Sequence, residues 1–392
     1  MNNPNGHKRK IAIVSSTRAD WGLLSPLAKA LSEREDCDVS VIATNMHLSQ
    51  RFGMTVNNII DDGFKPIRVA IECEDDSAAG RIRAMAQCMT GMNEVFESLS
   101  PDMMVVLGDR YEMLAVASAA MMMHIPIVHI AGGTISEGAI DDSIRHAITK
   151  LSALHLTETE EYRQRVIAMG ENPSRVINTG AIGVWNIDNL DLMTREELSR
   201  EINFDLSRPY IIATFHPATL DNSDPGLCCR NMLEALNRHP NLNIILTYPN
   251  NDPGSVSIIT EIENFAKDNH ERVKLVRSLG ATRYLSALHY AEFSIGNSSS
   301  GIVEVASAGI PSIDIGCRQH GRAAAQSVIH CGNSIDDIDH AINLALSPDF
   351  KAMAAKAENP YYKADTLQLM VDAIMRANPS QLITKHFYDI KS

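Results

Sequence analysis

Short, continuously apolar runs alternate with segments of helical spacing along nearly the whole chain. Residues 11–14 read as a buried strand, 23–33 as a helix and 39–43 as the next strand. A helix over 81–99, a strand over 103–107, a helix over 111–123, a strand over 127–130, a helix over 141–151 and a strand over 154–156 follow. A strand that is apolar throughout, rather than at every second residue, is buried on both faces, and a single helix between strands is the connection that a parallel pair needs. The pattern predicts an α/β chain whose parallel sheets are covered by helices.

The strand signal lapses over 183–209, a polar stretch with one helix after Thr194, and then restarts. Strands are expected over 210–214, 242–247, 273–275, 293–295 and 312–315, with helices over 226–237, 255–269, 282–289 and 301–308, and a last helical segment over 359–376. A chain of 392 residues suits two such domains. The expected division is a first α/β domain over 1–182, a connection over 183–208, a second α/β domain over 209–365 and a C-terminal helical segment over 366–392.

Charge limits what such a chain can bind. Asp and Glu number 48 against 35 Lys and Arg, a formal net charge of -13. A chain that acidic repels phosphate everywhere except at a local basic site, which excludes general nucleic-acid binding. The seven cysteines form no CxxC pair and read as reduced thiols. No apolar run approaches the roughly 18 residues of a spanning helix, and the apolar stretch near the start is too short for a signal-peptide core, so a cytoplasmic location without membrane insertion is expected.

In open parallel sheets ligands bind beyond the carboxyl ends of the strands, and polar residues gather just there. Ser15-Ser-Thr-Arg18-Ala-Asp20 follows the first strand, Gly108-Asp109-Arg110 the strand at 103–107, and Ala131-Gly132-Gly133 the strand at 127–130. In the second half the corresponding stretches are His216-Pro217, Tyr248-Pro-Asn250, Gly296-Asn-Ser298-Ser299-Ser-Gly301 and Gly316-Cys-Arg318. The GNSSSG loop offers backbone N–H groups and hydroxyls to a phosphate, although serine capping of a helix explains it equally well. It lacks the Lys of a phosphate-binding P-loop, and its glycines stand too far apart for a nucleophile elbow. Glu304, one turn on, can accept two ribose hydroxyls. Arg18, Arg110 and Arg318, each at a strand end, supply the local positive charge. Asp141 and Arg145 lie four residues apart on one helix face, as do Asp142 and His146. With Asp109 and Glu137 nearby, several carboxylates can converge for acid–base work. His216, fixed before a proline, points toward the same chemistry, and no cluster has metal-ligand spacing.

Together these segments resemble the hydrolysing UDP-N-acetylglucosamine 2-epimerases of the bacterial sialic acid capsule type. The matching stretches are Ser16-Thr-Arg-Ala-Asp20, Gly108-Asp-Arg-Tyr-Glu112, His129-Ile-Ala-Gly-Gly133, Asp141-Asp-Ser-Ile-Arg-His146, Phe215-His-Pro217, Gly296-Asn-Ser-Ser299 and Gly316-Cys-Arg-Gln319, in order along nearly the whole chain. The resemblance implies a GT-B architecture: two Rossmann-like domains with parallel sheets facing a central cleft, and a C-terminal helix crossing back to the first domain. It implies nucleotide contacts from Arg18, Asn250, Ser298, Ser299, Gly301, Glu304 and Arg318. Sugar or diphosphate contacts are implied for Arg110, Gly132 and Gly133, and catalytic roles for Asp109, Asp141, Arg145 and His216, to which this chain's own Glu137 is added as a candidate catalytic carboxylate. It further implies a UDP-sugar as the bound partner, no cofactor and no metal, and a homodimer or homotetramer.

The chain departs from the family pattern at Ala131, where the animal enzyme resembles it but carries a catalytic Glu, so the base falls to Asp109 or Glu137. The activity implied is conversion of UDP-N-acetylglucosamine and water into N-acetylmannosamine and UDP. The same steps on a UDP-2,4-diacetamido-2,4,6-trideoxyhexose, a GT-B glycosyltransferase and a nucleotide-sugar sensor are the alternatives.

Overall fold

In the strand Arg9–Ser15 (β1) every side chain from Ile11 onward is buried, which is the burial expected of a central parallel strand. A computed structural model of the chain describes residues 8–72, 74–75, 77–136, 139–218, 223–249 and 254–390. These residues form two compact units, one from the described residues of Met1–Thr134, Asp141–Trp185 and Lys363–Ser392, the other from those of Ile135–Ile140 and Asn186–Tyr362.

The first unit is built on seven strands: β1, β2 (Cys37–Thr44), β3 (Ile67–Val69), β4 (Met103–Leu107), β5 (Ile127–Ile130), β6 (Leu154–Thr157) and β7 (Val176–Asn178). Their order is β3-β2-β1-β4-β5-β6-β7 and every pair is parallel. Side chains on one face pack with the helices Arg18–Ser32 and Thr366–Arg376 through Leu24, Leu27, Met370 and Ile374. Those on the other pack with Ala78–Leu99 and Tyr111–Met122 through Met92, Phe96 and Val116. The second unit carries β8 (Tyr210–Thr214), β9 (Asn243–Thr247), β10 (Val273–Val276), β11 (Ser294–Gly296), β12 (Ser312–Ile315) and β13 (Val328–Cys331) in the order β10-β9-β8-β11-β12-β13, again all parallel. Both orders reverse direction once, the doubly wound Rossmann pattern, at β1/β4 in the first sheet and at β8/β11 in the second.

Several segments differ from the sequence reading. The first helix begins at Arg18, five residues early, because Thr17 and Asp20 form a capping box that holds the turn. The polar stretch after 183 is helical at Ile182–Asn189 and again at Arg195–Ile202, where Thr194 and Glu197 form a second capping box. The division between the units falls inside the first of these helices, since Ile182 and Trp185 pack into the core of the first unit and Ile187 and Leu190 into that of the second. The helix expected over 359–376 starts at Thr366, because the Asn359 side chain holds a turn by donating to the Val303 carbonyl and Ser307 Oγ, both at 2.7 Å, and accepting from the Tyr361 N–H. The helix expected over 301–308 is one α turn, Ser300–Val303, followed by a 3-10 turn, Val305–Ala308. No helix among the described residues is long and apolar enough to cross a membrane.

Gly296, the last residue of β11, has φ +141°, and a Cβ there would lie 1.8 Å from the Thr214 carbonyl oxygen on β8. Neither backbone can yield without breaking the β8–β11 ladder. Gly296→Ala is therefore expected to cost more than about 4 kcal/mol in urea unfolding, whereas Gly63→Ala, at φ +91° in open space, costs about 1–2 kcal/mol of backbone strain.

Candidate active site

The reversal at β1/β4 places two polar loops side by side beyond the carboxyl edge of the first sheet. In the loop after β1, the Asp20 carboxylate accepts from the N–H groups of Ser16 and Thr17 and from Ser16 Oγ, which fixes the turn and leaves Arg18 exposed at the head of its helix. After β4, Gly108 adopts φ +75° and turns the chain so that Asp109 and Arg110 follow outside the sheet. Arg110 Nε donates to Glu112 Oε1 at 2.7 Å. Glu112 is fully buried. Burial alone would push its carboxyl up, but the Arg110 charge and hydrogen bonds outweigh it and hold the group below the usual carboxylate range.

Asp109 forms an ion pair with Arg145 Nη2 from the helix Ile140–Leu151. Arg145 is 4% exposed, and its Nη1 also donates to the Thr134 carbonyl at 2.8 Å. A buried guanidinium with a carboxylate and a carbonyl on its fork is held rigidly, and so is the carboxylate it grips. Asp141 stands half-buried in the first turn of the same helix, and His146 lies 3.5 Å from Asp142. Beneath the pair lies His129 of β5, fully buried, with Nε2 2.8 Å from the Gly108 carbonyl and Nδ1 3.1 Å from Thr149 Oγ1. Ala131 follows at φ +63°, a strained position for a residue with a Cβ, and Gly133 at φ +81° passes so close to the Tyr162 carbonyl that a Cβ would lie 2.5 Å away.

In the second unit the reversal at β8/β11 brings His216 next to the serine loop. Asn297 clamps the His216 peptide from both sides: its Oδ1 accepts from the His216 N–H at 2.7 Å and its Nδ2 donates to the His216 carbonyl at 2.8 Å. The Asn297 carbonyl in turn accepts from Arg318 Nη1 at 3.1 Å and from Gln319 Nε2 at 2.7 Å. Ser298 Oγ accepts from the Ser300 N–H, Ser300 Oγ lies 2.5 Å from Tyr284 Oη, and Ser299 opens the short helical turn. Gly301 sits against Ser312 Oγ, 2.9 Å from where a Cβ would stand, and Glu304 is half-buried at the end of that turn. One α turn carries little dipole, so any anion here would be held by hydroxyls, N–H groups and Arg318.

A family model described as UDP-N-acetylglucosamine 2-epimerase matches residues 29–375. The chain belongs to that family. It is 38% identical over 344 residues to the GDP/UDP-N,N'-diacetylbacillosamine 2-epimerase (hydrolyzing) of Campylobacter jejuni, covering 88% of this chain and 89% of that one. Over 388 residues it is 35% identical to polysialic acid biosynthesis protein P7 of Escherichia coli, covering 97% and 98%. Among solved structures, the UDP-GlcNAc 2-epimerase of Neisseria meningitidis bound to UDP-GlcNAc superposes with a TM-score of 0.81 over 94% of this chain and all of that one, at 17% identity. That likeness shows the fold: paired Rossmann-like α/β units of the GT-B kind.

Within this epimerase-family fold the residues named from sequence fall into two groups. Asp109, Arg145 and Gly132 gather in the first unit around the contacts of His129, with Arg110 held on Glu112, while His216, Ser298, Ser299, Gly301 and Arg318 gather in the second around Asn297. Glu137 and Asn250 lie outside the described residues. Sequence reasoning passed over Glu112, His129, Thr149, Asn297 and Gln319 as functional residues, although four of them stand in the quoted motifs. Glu112 meets Arg110 only two residues away, but the other four act through residues on other elements, which spacing along the chain does not display.

His129 and His216 are both held neutral by burial, each pushed from 6.5 down to about 3, with the Arg318 charge adding to the effect at His216. Between these values the unfolded chain binds protons that the folded one refuses, so stability is full above about pH 6.5 and is lost as pH falls toward about 3. At pH 5 each histidine should cost about 2 kcal/mol. Thermal melts at pH 7 and pH 5 should show a clear drop that His129→Gln partly removes; equal melting temperatures would mean the rings take up protons in the folded state.

Proposed function

We propose that the protein is a hydrolysing 2-epimerase that converts UDP-N-acetylglucosamine and water into N-acetylmannosamine and UDP, as a first step of sialic acid synthesis. The observation that carries this reading is a carboxylate, Asp109, held by the buried Arg145 beside Arg110 at the ligand-binding edge of a Rossmann sheet, in a family whose relatives include hydrolysing epimerases.

In the first step the C1–O bond breaks and its electrons leave with UDP, while a carboxylate takes the C2 proton from the opposite face. The product is a 2-acetamidoglucal with a C1–C2 double bond. Water then gives its hydroxyl to C1, and a proton returns to C2 on the other face, which inverts that centre. The C2 proton is weakly acidic, so loss of UDP runs ahead and C1 gains positive character; stabilising the departing diphosphate is then the main electrostatic task. Asp109 or Glu137 is the base. Asp141 handles water, and Arg145 and Arg110 fix the carboxylate and the sugar diphosphate, with Gly132 and Gly133 bordering it. Arg18, Arg318, Ser298, Ser299 and Gly301 hold the diphosphate, Glu304 the ribose, and Asn250 the nucleotide. A neutral His216 donates a hydrogen bond to the leaving oxygen rather than a full proton.

A second sugar is favoured by one observation, the 38% identity to a diacetylbacillosamine epimerase. On that reading a UDP-2,4-diacetamido-2,4,6-trideoxyglucose passes through the same two steps. Purified protein incubated with each UDP-sugar in deuterated water decides both questions by NMR. The expected products are UDP and a free manno-configured sugar carrying deuterium at C2, formed fastest from the true substrate. A C2-inverted sugar still attached to UDP, or a free sugar without deuterium, would contradict the mechanism.

A further inference from the structure

His129 is an unusual residue for its place. It lies on β5, between β4 and β6 in the middle of the first sheet, and it is fully buried where the neighbouring Val128 and Ile130 are apolar. An imidazole there loses its hydration and is tolerated only when both ring nitrogens find partners. Both do: Nε2 faces the Gly108 carbonyl at 2.8 Å and Nδ1 faces Thr149 Oγ1 at 3.1 Å.

The donor assignment follows from the partners. A carbonyl only accepts, so Nε2 carries the proton and Nδ1 must accept from the Thr149 hydroxyl. That hydroxyl is also within donating distance of the Arg145 carbonyl, at 3.0 Å, but the carbonyl is already satisfied by the helical Thr149 N–H, whereas a buried Nδ1 without a proton has Thr149 as its donor, so the single hydroxyl proton is assigned to His129. Gly132 completes the arrangement, since a Cβ there would stand 3.0 Å from both His129 Nδ1 and Thr149 Oγ1. The glycine leaves room for the bridge.

The two ends of this bridge are the carriers of the ion pair above it. Gly108 precedes Asp109, and Thr149 stands one helical turn after Arg145. Asp109 and Arg145 join the β4 loop to the helix at one level, and His129 joins the same two elements at the next, closing a ring of contacts. We propose that His129 is a positioning residue for the elimination, fixing Asp109 against Arg145 by bridging the Gly108 carbonyl and the Thr149 hydroxyl. With both nitrogens occupied, His129 moves no proton itself. This inference rests on the reading of Asp109 as part of the proton-transfer machinery.

The test compares three variants with wild type. His129→Phe keeps the ring volume and loses both bonds, His129→Gln can keep a donor toward Gly108 and an acceptor toward Thr149, and Thr149→Val loses one bond. A carboxylate displaced by a fraction of an ångström should lower kcat about tenfold to a hundredfold in His129→Phe while KM stays within about threefold, and His129→Gln should recover most of kcat. Full kcat in a folded His129→Phe protein, or equal losses in the Phe and Gln variants of equal stability, would overturn it. If His129→Phe does not fold, Thr149→Val against Thr149→Ser gives the same comparison. Should wild type release no UDP from any UDP-sugar, the functional reading fails on its own. Backbone hydrogen exchange across residues 108–110 then decides the positioning, faster exchange in Thr149→Val than in Thr149→Ser supporting it and equal exchange overturning it.

Discussion

Within each sheet every strand runs parallel to its neighbours, and the chemistry of this protein depends on that constraint. Parallel pairing with helices on both faces uses up the apolar surface and satisfies the backbone within each sheet. Polar residues are then left to the carboxyl edges, and the single reversal of strand order in each sheet separates two neighbouring loops enough to hold a ligand. In the first unit those loops carry Arg18, Asp109 and Arg110; in the second they carry His216 and the serine loop. A net charge of -13 makes the arginines at these edges more telling, because phosphate has few other places to be attracted.

Each edge is rigid for its own reason. In the first unit rigidity comes from charge: the buried Arg145 is useful only while Asp109 and the Thr134 carbonyl occupy its fork, and a buried guanidinium without such partners would be costly. Glu112 plays a similar part beneath Arg110. In the second unit it comes from neutral hydrogen bonds, with one asparagine side chain gripping the His216 peptide and its carbonyl receiving Arg318 and Gln319. Both arrangements set a charged or polar group in place before a substrate arrives, which is where electrostatic catalysis gains its advantage.

The sequence made the central strands legible because β4 is apolar throughout and β1, β5, β8 and β9 are apolar over most of their length. It hid β3, β7 and β13, which lie at sheet edges, are three or four residues long, and carry polar residues such as Arg68, Asn178 and His330. Capping chemistry was legible in principle at Thr17–Asp20 and at Thr194–Glu197, and only the second was used to start a helix. The site was legible as a set of strand-end motifs. Its internal wiring was not, since Arg145 grips Asp109 and Thr134, and His129 reaches Gly108 and Thr149, across elements that no periodicity links. The short turn at Ser300–Val303 also escaped, because an apolar spacing that suits a long helix suits a broken one equally well.

The central claim is that Asp109 and Arg145 act as one unit in the first chemical step. A double-mutant cycle with Asp109→Asn and Arg145→Lys, read as kcat for UDP release with folding checked by thermal melts, tests it directly. If the two form one unit, the double variant is about as slow as the slower single variant, because removing either partner already disables both. Losses that multiply across the two substitutions would mean that the residues act independently and would contradict the account.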